Sequence, residues 1–86
     1  KPMDMLCRVN GEKPEWFRKG MEAAMLAPTA VNHQRFLFTL HSDGSVTAVS
    51  TGGVFSLVDL GIVKCHFEIG AKKSNFTWRD LRILNR

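Results

Sequence analysis

Leu26-Ala27-Pro28-Thr29-Ala30-Val31-Asn32-His33-Gln34 decides how this chain reads, because it separates the best helical pattern in the sequence from its best strand pattern. Proline lacks an amide hydrogen and disfavours helical geometry at the residue before it, so a helix arriving from Pro14 has to stop near Ala27. A bend must follow. The residues after Pro28 are small or carry neutral amides, which leaves backbone N–H groups accessible beside two side chains that both donate and accept, Asn32 and Gln34. A planar, heteroatom-rich ligand suits such a bend better than a metal or a lone phosphate.

Upstream of the bend, Pro14 suits the first helical turn, Glu15 suits the positive helix end, and Phe17, Met21, Ala24 and Met25 recur at helical spacing. A second row, Trp16, Gly20, Ala23 and Ala27, widens the apolar stripe, and its small members would let another element approach closely. Arg18, Lys19 and Glu22 fill the solvated arc. Trp16 is expected to pack in the core rather than to stack on a ligand. Residues 1–13 form a leading segment with apolar Met3, Met5, Leu6 and Val9 and a turn signal at Asn10-Gly11, read as an extended arm.

Downstream, Arg35 to His41 is rich in strand formers, with Phe36, Phe38 and Leu40 on one face and Leu37, Thr39 and His41 on the other. Ser42-Asp43-Gly44-Ser45 is a hairpin connection, and Val46 to Ser50 is the antiparallel return strand. Thr51-Gly52-Gly53 reads as a joint. Without a Lys-Ser/Thr sequel or a dinucleotide fingerprint, its glycines do not make a phosphate loop.

Ser56 caps a second helix that runs to about Ile69, with Asp59 in its first turn and Gly70 as its stop signal. Leu60, Val63 and Phe67 define one face, Ile62, Cys65, His66 and Ile69 broaden it, and Lys64 and Glu68 sit four apart as a polar pair. So much apolar surface predicts a helix covered on more than one side, as a central helix between the sheet and a partner is. Ala71 to Ser74 is a solvated basic turn and Asn75 to Arg79 a short strand. His41 and His66 are expected to be structural.

The expected fold class is α+β, two main helices packed on a small antiparallel sheet in the order α-β-β-α-β. One domain spans residues 1–86, with its core at 14–79 and a tail at 80–86.

Three pieces of this pattern together resemble a known family. They are Pro14-Glu15-Trp16-Phe17 with Glu22-Ala23-Ala24 after it, the stretch Leu26 to Gln34, and Asp59-Leu60-Gly61-Ile62-Val63-Lys64-Cys65-His66-Phe67-Glu68-Ile69-Gly70. They look like the nitroreductase family of flavin enzymes, whose members carry an Ala-Pro-Ser/Thr-x-x-Asn-x-Gln turn. The resemblance covers about Met3 to Asn75 and implies a nitroreductase-like α/β sandwich, FMN as cofactor, and electrons passing from NAD(P)H to a nitroaromatic or quinone-like acceptor.

The positions matching the family's flavin-contacting turn are Pro28, Thr29, Ala30, Asn32 and Gln34. The family's Arg-x-Ser-x-Arg segment for the flavin phosphate has no match here. The rest of the site is therefore expected from a missing half of a longer protein or from a second subunit, which also fits a chain that starts at Lys1-Pro2, and the isolated chain is expected to be inactive. The protein itself needs no nucleophile, because the flavin carries the reaction. The alternative is a noncatalytic α+β interaction module that retains the turn because it packs well.

Composition narrows the classes. Twelve basic against eight acidic residues give a net charge of +4 that is spread without a dense block, which disfavours nucleic acid as a partner. No apolar run approaches the roughly 20 residues that a membrane helix needs. Cys7 and Cys65 lack the spacing of a zinc or redox motif, and unpaired thiols suit a reducing cytoplasm.

Overall fold

The structure, a computed structural model, describes residues 3–27, 36–51 and 57–79. Four strands and two helices carry the fold: β1 (Cys7–Val9), α1 (Glu15–Met25), β2 (Phe36–Leu40), β3 (Ser45–Ser50), α2 (Leu57–Ala71) and β4 (Thr77–Trp78). Short 3-10 turns at Met3–Met5 and Lys73–Asn75 flank β1 and β4. The architecture is the expected α+β arrangement of two helices on a small sheet.

The sheet runs β1-β2-β3-β4. Its centre is the expected antiparallel hairpin, in which Phe36 pairs with Ser50 and Leu40 with Val46. Both flanks are parallel, with Cys7 opposite Phe38 on one side and Val46 opposite Trp78 on the other. The chain is thus two strand-helix-strand units, β1-α1-β2 and β3-α2-β4, joined by a hairpin. Parallel neighbours require a long crossover, and each helix supplies one.

The leading segment accordingly belongs to the fold: residues 7–9 form an edge strand, a role that three residues show no period to announce. The hairpin turn follows the Asp-Gly signal. Gly44 adopts φ +88°, His41 N–H donates to the Ser45 carbonyl at 2.9 Å, and Asp43 Oδ1 accepts from the Ser45 amide at 2.9 Å.

Side chains alternate across the strands, so Cys7, Phe36, Phe38, Val46 and Trp78 share the face that the helices cover. Phe17, Phe38 and Phe67 are fully buried at its centre. Phe38 stacks on Phe67 with ring centroids 4.7 Å apart, Phe17 meets Phe67 edge to face at 5.5 Å, and Trp16 stacks on Phe76 at 5.7 Å. Trp16 therefore packs, as its place on the second helical row predicts. Burial raises the Cys7 thiol above its usual range.

Two expectations for α2 change. Gly70 does not stop the helix: Ala71 still belongs to it, and the chain turns at Lys72, whose φ of +70° is in the left-handed range. Gly70 instead lies against α1, where a Cβ would stand 2.5 Å from the Lys19 carbonyl oxygen, and a Cβ at Gly20 of α1 would stand 2.6 Å from the Phe67 ring. Lys64 and Glu68 both engage Trp78. The ammonium lies 4.6 Å from the ring centroid and the carboxylate accepts from the indole N–H at 2.5 Å.

Among the described residues, α2 is buried at Asp59, Val63, Phe67 and Ala71. Cys65 is exposed, and Val58 and Ile69 are 72% and 73% exposed. No helix among the described residues is long and apolar enough to cross a membrane.

Candidate functional site

The bend expected to meet a ligand begins where α1 ends. Leu26 N–H donates to Ala23 O and Ala27 N–H to Ala24 O, both at 3.1 Å, which closes the last helical turn before Pro28. Leu26 itself is 81% exposed. The chain is next described at Phe36, buried at the start of β2 and paired with Ser50 at the end of β3. Pro28, Thr29, Ala30, Asn32 and Gln34 all lie outside the described residues, as does the cap residue Ser56.

Their anchors are nonetheless fixed relative to one another. Because Phe36 and Ser50 are register partners, the connection 28–35 enters the sheet at the same end from which the connection to α2 leaves it. One end of the sheet therefore collects the start of β2 and the end of β3, while α1 and α2 lie side by side on one sheet face. The two long connections meet the sheet there.

The opposite end holds a polar cluster that sequence reasoning did not assemble. Arg79, just after β4, donates to Asp43 Oδ2 at 2.9 Å and lies 3.4 Å from His41 Nδ1. His41 Nε2 stands 2.6 Å from Thr47 Oγ1, and that hydroxyl donates to the Arg79 carbonyl at 3.4 Å. Arg79 has no lone pair to offer, so Nδ1 accepts and Nε2 carries the proton donated to Thr47.

The Ser45 hydroxyl and amide, and then Arg79, hold the Asp43 carboxyl well below the usual carboxylate range. These groups satisfy one another and lock the hairpin to β4. Of them, only the Asp43-Gly44 turn has a local signal in the sequence.

Beside this cluster, where β1 and β2 end, a concavity of about 250 Å³ is lined by Val9, Asn10, Trp16, Leu40, His41 and neighbouring residues. It lies at the end of the sheet away from Phe36 and Ser50. Among the described residues no group of three or more His, Cys, Asp or Glu side chains stands together as a metal site.

Comparison with known proteins bears on the bend directly. The family described as "Putative TM nitroreductase" matches residues 1–71, from the leading segment through the bend to the last residue of α2. Neither the curated proteins nor the solved structures give a match. With residues 1–71 of 86 matched, and with two helices on a small sheet, the chain belongs to this nitroreductase family.

Proposed function

We propose that this chain supplies one wall of an FMN site in a nitroreductase-like oxidoreductase, which takes electrons from NADH or NADPH and delivers them to a nitroaromatic or quinone-like acceptor. The observation that carries this reading is the family match, which includes the whole stretch from Leu26 to Gln34.

The donor set fits the group. A flavin ring presents carbonyl oxygens and ring nitrogens at its edge, and the bend offers the backbone amides of Thr29 and Ala30 together with the carboxamides of Asn32 and Gln34. Pro28 lacks an amide hydrogen and disfavours helical geometry at the residue before it, which suits this stretch to hydrogen bonding outside a helix. FMN supplies the redox chemistry when bound. The protein's share is to orient the ring and to place donors where negative charge accumulates on reduction.

The second wall comes from a second half of a longer protein or from a second subunit. We place the protein in a reducing cytoplasm on the strength of its two free cysteines, Cys7 and Cys65.

The test is the visible absorption spectrum of the native protein purified from cells, followed by FMN titration of the Asn32→Ala variant. The expected result is a flavin spectrum, and an affinity that falls in the variant while the far-ultraviolet circular dichroism is unchanged. A colourless protein that ignores added FMN overturns the reading. So does an Asn32→Ala variant that loses stability but keeps its flavin affinity, since the carboxamide then serves the fold.

A further inference from the structure

A second concavity, of about 280 Å³, opens between the start of α1 and the end of α2. The length of α1, roughly 16 Å, separates it from Leu26 and Ala27. Its apolar wall is the Trp16 indole together with Gly70 and Ala71. Trp16 is held by its stacking on Phe76 at 5.7 Å, and Gly70 by its contact with the Lys19 main chain.

Two cations, Lys19 and Lys72, line the same space, and neither has an ion-pair partner among the described residues. The carboxylate in the lining, Glu15, is taken by Arg18. Its oxygens accept from the guanidinium at 3.2 and 2.5 Å, which holds the carboxyl below its usual range, with Lys19 adding a smaller pull. Glu68, one turn before Lys72, accepts from the Trp78 indole. The cavity thus joins an aromatic wall to two uncommitted positive charges.

Lys72 also stands in a costly place. Its φ of +70° and ψ of +121° suit glycine and strain a lysine. The neighbours enforce this conformation. Lys72 N–H donates to the Glu68 carbonyl at 2.8 Å, Asn75 N–H to the Lys72 carbonyl at 3.0 Å, and the Asn75 carboxamide to the Ala71 carbonyl at 2.8 Å. No hydrogen bond or ion pair of the Lys72 ammonium among the described residues offsets the strain.

We propose that this cavity binds a small aromatic anion, a planar ring carrying one carboxylate, with the ring against Trp16 and Ala71 and the carboxylate paired with Lys19 and Lys72. A bare inorganic anion would leave the indole wall uncovered, and a neutral ring would leave both lysines unpaired. The inference goes beyond the flavin reading and does not depend on it.

Titration of the isotopically labelled protein with benzoate at constant ionic strength, followed by amide and indole N–H chemical shifts, tests it. The expected result is a Kd of about 1 mM, set by the small size of the ligand, with shifts concentrated on the Trp16 indole and the amides from Gly70 to Asn75. Benzamide and inorganic phosphate, each of which keeps one part of the recognition, should bind at least about tenfold more weakly. Lys72→Gly should weaken benzoate binding at least about fivefold while raising the melting temperature of the ligand-free protein, and Lys72→Arg should bind within about twofold of the parent. These opposed signs separate binding from folding, since a variant that is merely unfolded loses both. The absence of shifts at roughly 50 mM benzoate, equal binding of benzamide or phosphate, or unchanged affinity in Lys72→Gly overturns the inference. Failure of FMN binding leaves it intact.

Discussion

Gly70 of α2 lies against the main chain of α1, where a Cβ in its place would stand 2.5 Å from the carbonyl oxygen of Lys19. Gly20 of α1 makes the reciprocal approach, its absent Cβ falling 2.6 Å from the Phe67 ring. The two helices touch where each has a glycine, and this contact brings Phe67 over Phe17 and Phe38. Replacing Gly70 by Ala must push the backbones apart. A net loss of about 1–3 kcal/mol is expected despite the better helix propensity of alanine.

Gly61 is the control for that experiment. It lies in the same helix with open space where a Cβ would stand, so Gly61→Ala should raise the stability of the monomer by about 0.5–1 kcal/mol. Urea denaturation of the two variants at low protein concentration checks both signs. Equal effects would mean that the helix contact is looser than described.

Trp78 ties β4 to α2 through its indole N–H, which donates to Glu68 at 2.5 Å, while Lys64 rests on the ring. Trp78→Phe keeps a ring for the packing and the cation but removes the donor from a half-buried carboxylate. The expected cost is about 1–2 kcal/mol. Glu68→Gln keeps an acceptor and should cost less, and thermal unfolding of the pair separates the hydrogen bond from the ring packing.

Lys72 ends α2 with φ at +70°, a value that costs a side chain more than it costs glycine. Lys72→Gly is expected to stabilise the fold by about 1 kcal/mol, against the usual direction for a glycine substitution. A lower melting temperature would show that the Lys72 side chain contributes more than its backbone conformation loses.

Asp43 titrates below its unfolded value because Ser45 and then Arg79 favour the carboxylate. A depressed folded pKa contributes stability that is present above about pH 4, the unfolded value, and is lost as pH falls toward the folded one. The stability difference between the parent chain and Asp43→Asn should therefore be constant near neutrality and shrink on acidification below about pH 4. Chemical denaturation across pH measures it. A difference that grows in acid would contradict the Asp43 contacts.

The bend proposed to meet the flavin was legible as a local pattern, a proline stop followed by small residues and two carboxamides, and its assignment to flavin came from the family resemblance. That reading drew on residues 26–34 together with Pro14 to Phe17 and Asp59 to Gly70. The structure adds only where the anchors of the bend lie, at the sheet end shared by Phe36 and Ser50. The polar lock at the other end was not legible, because Arg79 and Asp43 are 36 positions apart and no spacing rule joins them.

By itself the sequence determined α1, the β2-β3 hairpin and α2. Each is specified within about a dozen neighbouring residues, by the 3.6-residue period, by strand alternation, or by turn chemistry such as Asp43-Gly44. Only the tertiary structure decided that residues 7–9 and 77–78 become parallel edge strands, that Gly70 is a helix contact rather than a stop, and that Val58 and Ile69 stay outside the core. Short strands have too few residues to show a period, and an apolar helix has no polar side to say which way it faces. Those choices belong to the neighbours that each segment finds across the fold.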